Sequence, residues 1–168
     1  MSFLARTPAI LVSFVSMLVI GAGFGLCRPM VGGAFLDMTS DPEMSRTIIA
    51  TMSDAQRAAH AWVTVLLDTA YPLAYGGFLG GLALRFFGGM GKYAALPAFG
   101  VVIADLTENM VQVLALAGWV DALDAKAWLT PLKFGLFFLA AGIAVIALVI
   151  GIVNLVRKRR ACSLPKPP

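Results

Sequence analysis

Four polar side chains, Asp105, Glu108, Asn109 and Gln112, interrupt an otherwise apolar run from Ala94 to Gly118. Their spacing, i, i+3, i+4, i+7, is one face of a helix. Asp68, Tyr71, Pro72 and Tyr75 repeat that spacing in a second apolar run, and Lys133 stands near the start of another. Two or more carboxylates in a low-dielectric site acquire separated pKa values, so that one holds a proton while another accepts one. That is acid/base chemistry on a lipophilic substrate; isomerisation, cyclisation or hydration of an isoprenoid or sterol-like lipid suits such groups. In this reading Asp68 and Glu108 are the acid/base pair and Asp105 is the third catalytic carboxylate. Lys133 and Tyr71 stabilise developing negative charge, while Asn109, Gln112 and Tyr75 bind and orient the substrate. A divalent cation on Asp68, Asp105 and Glu108 is a variant of this scheme. No cluster of phosphate-binding arginines accompanies it, so no metal is assigned, and no motif identifies a cofactor.

Such groups are costly in lipid. Each central Asp costs about 2.5–3.5 kcal/mol on the insertion scale, and three carboxylates with a lysine cost near ~10 kcal/mol before pairing. That expense makes a functional site the default hypothesis. The competing reading is a structural network, in which Lys133 neutralises one carboxylate and the amides tie helices together. Interhelical hydrogen bonds in membranes average only about 0.6 kcal/mol, a weak reason to keep three acids. Pro72 has a structural reading too: it kinks its helix and frees a carbonyl near residue 68.

These residues need helices to hold them. The chain has 168 residues, 60% hydrophobic and 13% charged, with a mean hydropathy of +0.87. A soluble domain carries roughly 25% charged residues. Four apolar runs, at about 8–27, 60–84, 94–118 and 131–156, meet the length of about 20 residues that a spanning helix needs. Such runs are too long for barrel strands, and lipid satisfies no backbone polar group, so each is expected to be helical. The expectation is an all-α, single-domain integral membrane four-helix bundle. It has a long, partly helical first outer loop (28–59) and a basic tail (157–168).

Charge sets the orientation. Arg6, Arg85, Lys92, Arg157, Lys158, Arg159, Arg160 and Lys166 fall on one side with no acidic residue, while the loops 28–59 and 119–130 hold six acids against Arg28, Arg46, Arg57 and Lys126. The positive-inside rule places both termini in the cytoplasm, as for a multi-pass protein of a bacterial inner membrane. The net charge of +4 then reflects a stop-transfer anchor near anionic lipid rather than nucleic-acid binding. With a rise of 1.5 Å per residue, Asp68 lies roughly 12 Å in from His60, and Glu108 and Asn109 roughly 14–15 Å in from Gly118. The polar groups converge in the outer half of the membrane, on a pocket open to the outside or the outer leaflet, with Lys133 turned inward or snorkelling at its mouth.

In the outer loop, TSDPE (39–43) starts a short helix over about 42–52. SDAQ (53–56) is a capping box, so the second helix begins near Asp54, ahead of the bilayer. The loop reads as a packed connector ahead of a mobile lid. The first run is too long for a signal peptide and lacks an A-x-A site. Cys27 and Cys162 fall on opposite sides and cannot pair. GAGFG (21–25) and GGMGK (88–92) fail as nucleotide motifs. Gly76, Gly77, Gly80 and Gly81 form two G-x-x-x-G pairs suited to close helix packing. His60 is the only histidine; it is placed at the outer interface and builds no zinc site. Ser13 and Ser16 are expected to line the pocket without forming a nucleophilic triad.

The pattern D-x-x-Y-P-x-x-Y-G (68–76), then D-x-x-E-N (105–109), then Lys133 resembles a group of small, uncharacterised bacterial four-span membrane proteins. The resemblance covers about residues 35–135. It implies the four-helix fold and singles out the same polar residues, but implies no activity. Three functions remain in view. The first is the membrane-embedded enzyme. The second is a non-catalytic lipid-, pigment- or quinone-binding or assembly subunit. The third is a proton-coupled carrier of a small cation or amphiphile, disfavoured because the inner halves of the spans look dry and no repeat relates the helix pairs. The expected partners are the bilayer, a lipophilic ligand or substrate, and a second copy or larger membrane complex.

Overall fold

The computed structural model describes residues 3–163, with side chains through residue 160. Lys166 and the side chain of Cys162 lie outside the described residues. Those residues form helices and no strand: α1 (Thr7–Cys27), α2 (Pro42–Thr51), α3 (Asp54–Val63), α4 (Thr69–Phe86), α5 (Gly91–Ala94), α6 (Leu96–Leu116) and α7 (Lys126–Ser163). One turn of π-helix, Thr64–Asp68, joins α3 to α4. The loops 28–53 and 117–125 share one end of the bundle, called the loop end below.

Helix boundaries follow from local chemistry. Asp41 caps α2 by accepting from the Glu43 N–H at 3.0 Å, and Pro42 fills the first turn, where its missing N–H costs nothing. Ser53 and Gln56 make the expected capping box at the start of α3. Gly118, at φ +71°, takes the left-handed position that ends α6, where a Cβ would be strained. The last helix begins at Lys126, five residues before Pro131, where the sequence had placed its start.

Helix α4 is the hub, packing against α1, α6 and α7, while α6 also packs on α7. Its glycines explain the closeness. A Cβ on Gly76 would stand 2.2 Å from a Val102 methyl of α6, and one on Gly77 would stand 2.7 Å from Ser13 Oγ of α1. A Cβ on Gly81 would meet the Leu4 carbonyl at 2.7 Å. The two G-x-x-x-G pairs thus serve two different neighbours. Between Tyr75 and the end distant from the loops, Leu79, Leu82, Ala98, Val101, Ala140, Ala144 and Ala147 form an apolar core.

Among the described residues, three stretches are long and apolar enough to cross a membrane: Thr7–Val31, Gly88–Leu116 and Leu123–Arg160. The second of the four expected runs is not among them. The reason is its position: α4 carries tyrosines, Pro72 and glycines toward other helices, so it needs less apolar surface of its own.

Candidate functional site

The polar stripes meet at the loop end. On α6, Asp105, Glu108, Asn109 and Gln112 are all buried, and Asp68 and Tyr75 are buried opposite them. Tyr75 donates its hydroxyl to Asp105 Oδ2 at 2.7 Å. The side-chain amide of Asn109 donates to the Asp68 carbonyl at 2.7 Å. That carbonyl lies four residues before Pro72, which has no N–H to offer it. Pro72 creates the acceptor and Asn109 fills it, which pins α6 to α4.

Lys133 turns inward. Its ammonium bonds Asp37 and lies 2.8 Å from Glu108 Oε2 and 3.3 Å from Asp105 Oδ1. Lys126 donates to Glu108 Oε1 at 2.5 Å and to the Leu36 carbonyl at 2.9 Å. The Thr130 hydroxyl reaches the same Glu108 oxygen at 2.7 Å. Glu108 and Lys126 are both 0% exposed. Glu108 is therefore the counter-ion of two lysines.

Four residues of this network were missed in the sequence: Lys126, Thr130, Asp37 and His60. Lys126, counted there as a loop charge, is fully buried. Together with Thr130 and Lys133 it has the spacing i, i+4, i+7, a stripe visible once α7 is extended back past Pro131. Asp37 comes from a short 3₁₀ turn, Leu36–Met38, and has no periodic signal. His60, expected at the interface, is buried, and its Nε2 accepts from the Leu36 N–H at 3.5 Å. The turn bearing Asp37 is thus tied to α3 through His60 and to α7 through Lys126 and Lys133, which makes it a packed connector.

A cavity of about 200 Å³ opens beside this cluster, lined by Asp37, Met38, Asp68, Tyr71, Tyr75, Asp105, Lys133, Phe134 and Phe137. A second, of about 240 Å³, shares Asp37, Met38, Asp68 and Tyr71 with it and continues along Gly21, Phe24 and Phe35. Edge-on ring contacts frame both: Phe24–Tyr71 at 5.6 Å, Tyr71–Tyr75 at 5.4 Å and Tyr75–Phe137 at 5.4 Å. Among the described residues, no hydrogen bond or ion pair engages the Asp68 carboxylate, although Asp68 is only 5% exposed.

The geometry parts the expected acid/base pair. Asp68 and Asp105 line the cavity, whereas Glu108 does not. Asn109 and Gln112, expected to orient a substrate, are not among its lining residues either. Asn109 is committed to the Asp68 carbonyl, and nothing in the structure explains Gln112, whose buried amide has no hydrogen-bond partner among the described residues. Ser13 and Ser16 line neither cavity; Ser13 packs on Gly77.

The set able to hold a metal also differs from the expected one. Asp37, Asp105 and Glu108, without Asp68, bring carboxylate oxygens within 4.8 Å of one another. The Lys133 ammonium contacts all three, so a built-in cation already serves them.

No family model, no curated protein and no solved structure matches the chain. By fold and site it is an all-α helical bundle with membrane-length helices and buried carboxylates clustered at one end.

Proposed function

We propose that this is a multi-pass protein of a bacterial inner membrane, with four crossing helices and both termini cytoplasmic. In it, a pocket in the outer half of the bilayer carries out proton transfer on a lipophilic substrate. The observation behind the chemistry is the contrast between the cavity's two carboxyls. Asp105 is fixed by the Tyr75 hydroxyl and lies beside Lys133. Asp68, which lines the same cavity, has no such partner among the described residues and is free to exchange a proton with a guest. Asp68 is the proton-exchanging group, and Asp105 with Lys133 faces the charge that develops. Tyr71 and Tyr75 supply ring surface and hydroxyls to the substrate.

Glu108 and Lys126 take the structural role. Their burial and mutual hydrogen bond favour positioning Lys133 over touching substrate. The apolar core beyond Tyr75 favours a pocket closed at that end over a carrier's through-path.

The chemistry is tested by incubating the purified protein with extracted bacterial membrane lipids and comparing species by mass spectrometry. Wild type is expected to convert a lipid that folded Asp68→Asn leaves unchanged. Equal conversion by both removes Asp68 from the mechanism, and no conversion by either favours the binding-subunit reading. The topology is tested by fusing reporter enzymes at each terminus; a periplasmic signal from either end contradicts it.

A further inference from the structure

The cluster has more negative than positive groups. Asp37, Asp68, Asp105 and Glu108 face Lys126 and Lys133. Glu108 takes Lys126 and shares Lys133, and Asp37 and Asp105 share the rest of Lys133. Among the described residues no ion pair or hydrogen bond reaches the Asp68 carboxylate, and Lys133, on the same cavity, is already shared by three other acids; in a mostly apolar cavity such a carboxylate is costly. A proton or a guest cation relieves that cost.

The walls suit a particular cation. Hard divalent ions take six or more oxygen ligands or keep several waters. The carboxylate triad that would start such a shell already holds the Lys133 ammonium. Around Asp68 stand Tyr71, Tyr75 and Phe137, rings of the kind that attract organic cations through their faces. The adjoining cavity, along Gly21, Phe24 and Phe35, presents apolar surface continuous with the same carboxylate.

We propose that the two joined cavities bind an organic cation, an amine-headed amphiphile. Its ammonium sits on Asp68 and its apolar body lies along Gly21, Phe24 and Phe35. This rests on the reading of the cavity as a ligand site and names the class of ligand it takes. Asp68 supplies the charge and the rings supply the cation's second contact. Gly21 keeps the apolar arm open: a Cβ there would already touch the Tyr71 ring at 3.7 Å, and a larger side chain would fill the space.

The test uses dodecyltrimethylammonium, a quaternary cation that exchanges no proton, with dodecanol as its uncharged counterpart and Ca²⁺ as the small-ion probe. Binding to the full chain in a neutral detergent is read by calorimetry and by the shift in unfolding midpoint. Wild type is expected to bind the quaternary cation at least about tenfold more tightly than Asp68→Asn does, the range lost with one charged contact. Gly21→Leu, which leaves every charge in place, is expected to weaken it as well. The proposal is overturned by any of three results: no binding of the quaternary cation to wild type (with Ca²⁺ bound in its place or not), equal affinity in wild type and folded Asp68→Asn, or dodecanol bound as tightly as the cation. Because the probe cannot take part in proton transfer, its failure to bind leaves the lipid-conversion result standing, and the reverse also holds.

Discussion

At the scale of single residues, the sequence shows which groups are polar and on which helix face they stand, but not which of them pair. Glu108 and Asp68 look alike in sequence, both acids inside an apolar run. In the folded chain Glu108 meets two ammonium groups and a hydroxyl, while the Asp68 carboxylate contacts none among the described residues. Breaking a buried pair from one side leaves an uncompensated charge, so Glu108→Gln is expected to destabilise the protein by about 3–5 kcal/mol. Thermal unfolding in detergent measures this, and an unfolding midpoint equal to wild type's would contradict the counter-ion role. What hid the pairing was the start of α7. Reading Pro131 as the first helical residue left Lys126 in a loop, although its spacing from Thr130 and Lys133 already put the three on one face.

At the scale of elements, the legible parts were those set by local rules: the α2 cap, the capping box of α3 and the glycine pairs of α4. Close approach makes the glycines testable. Gly76→Ala places its Cβ against Val102 and the Ala98 carbonyl, and is expected to cost about 1–3 kcal/mol. Gly135→Ala has nothing within 4 Å of its Cβ and is expected to be neutral or to stabilise by about 0.5–1 kcal/mol. Unfolding midpoints of the two variants decide this, and equal shifts would refute the packing account.

The clasp at the loop end was less legible because it joins segments far apart in sequence. Arg46 of α2 donates to Asp121 at 2.8 Å and to Asp124 at 3.0 Å. The hydrogen bonds from Arg46, and then the Leu123 N–H, hold the Asp121 carboxyl below its ordinary range. A lowered folded pKa contributes stability that is present above the ordinary carboxylate range and is lost as pH falls through the folded value. Wild type is therefore expected to unfold at a higher temperature than Asp121→Asn at pH 7, by a small margin since the pair is exposed, and the gap closes below about pH 4. A gap that widens on acidification would reverse the assignment.

At the scale of the whole molecule, hydropathy pointed to a helical bundle, and three of its four expected runs lie in stretches of the described residues apolar enough by themselves to cross a membrane. Helix α4 is the exception because it sits between α1, α6 and α7 and carries the polar wall of the site. The molecule is thus divided along its length, with an apolar core at one end and buried charges around two joined cavities at the other. Proton exchange with a lipophilic substrate is proposed for Asp68 in that polar end. Its most direct test is to incubate the purified protein with membrane lipids in D₂O and follow deuterium in each lipid by mass spectrometry. Wild type is expected to place deuterium on a carbon of one lipid class, and folded Asp68→Asn is expected not to. Deuterium incorporated equally by the two proteins would contradict it.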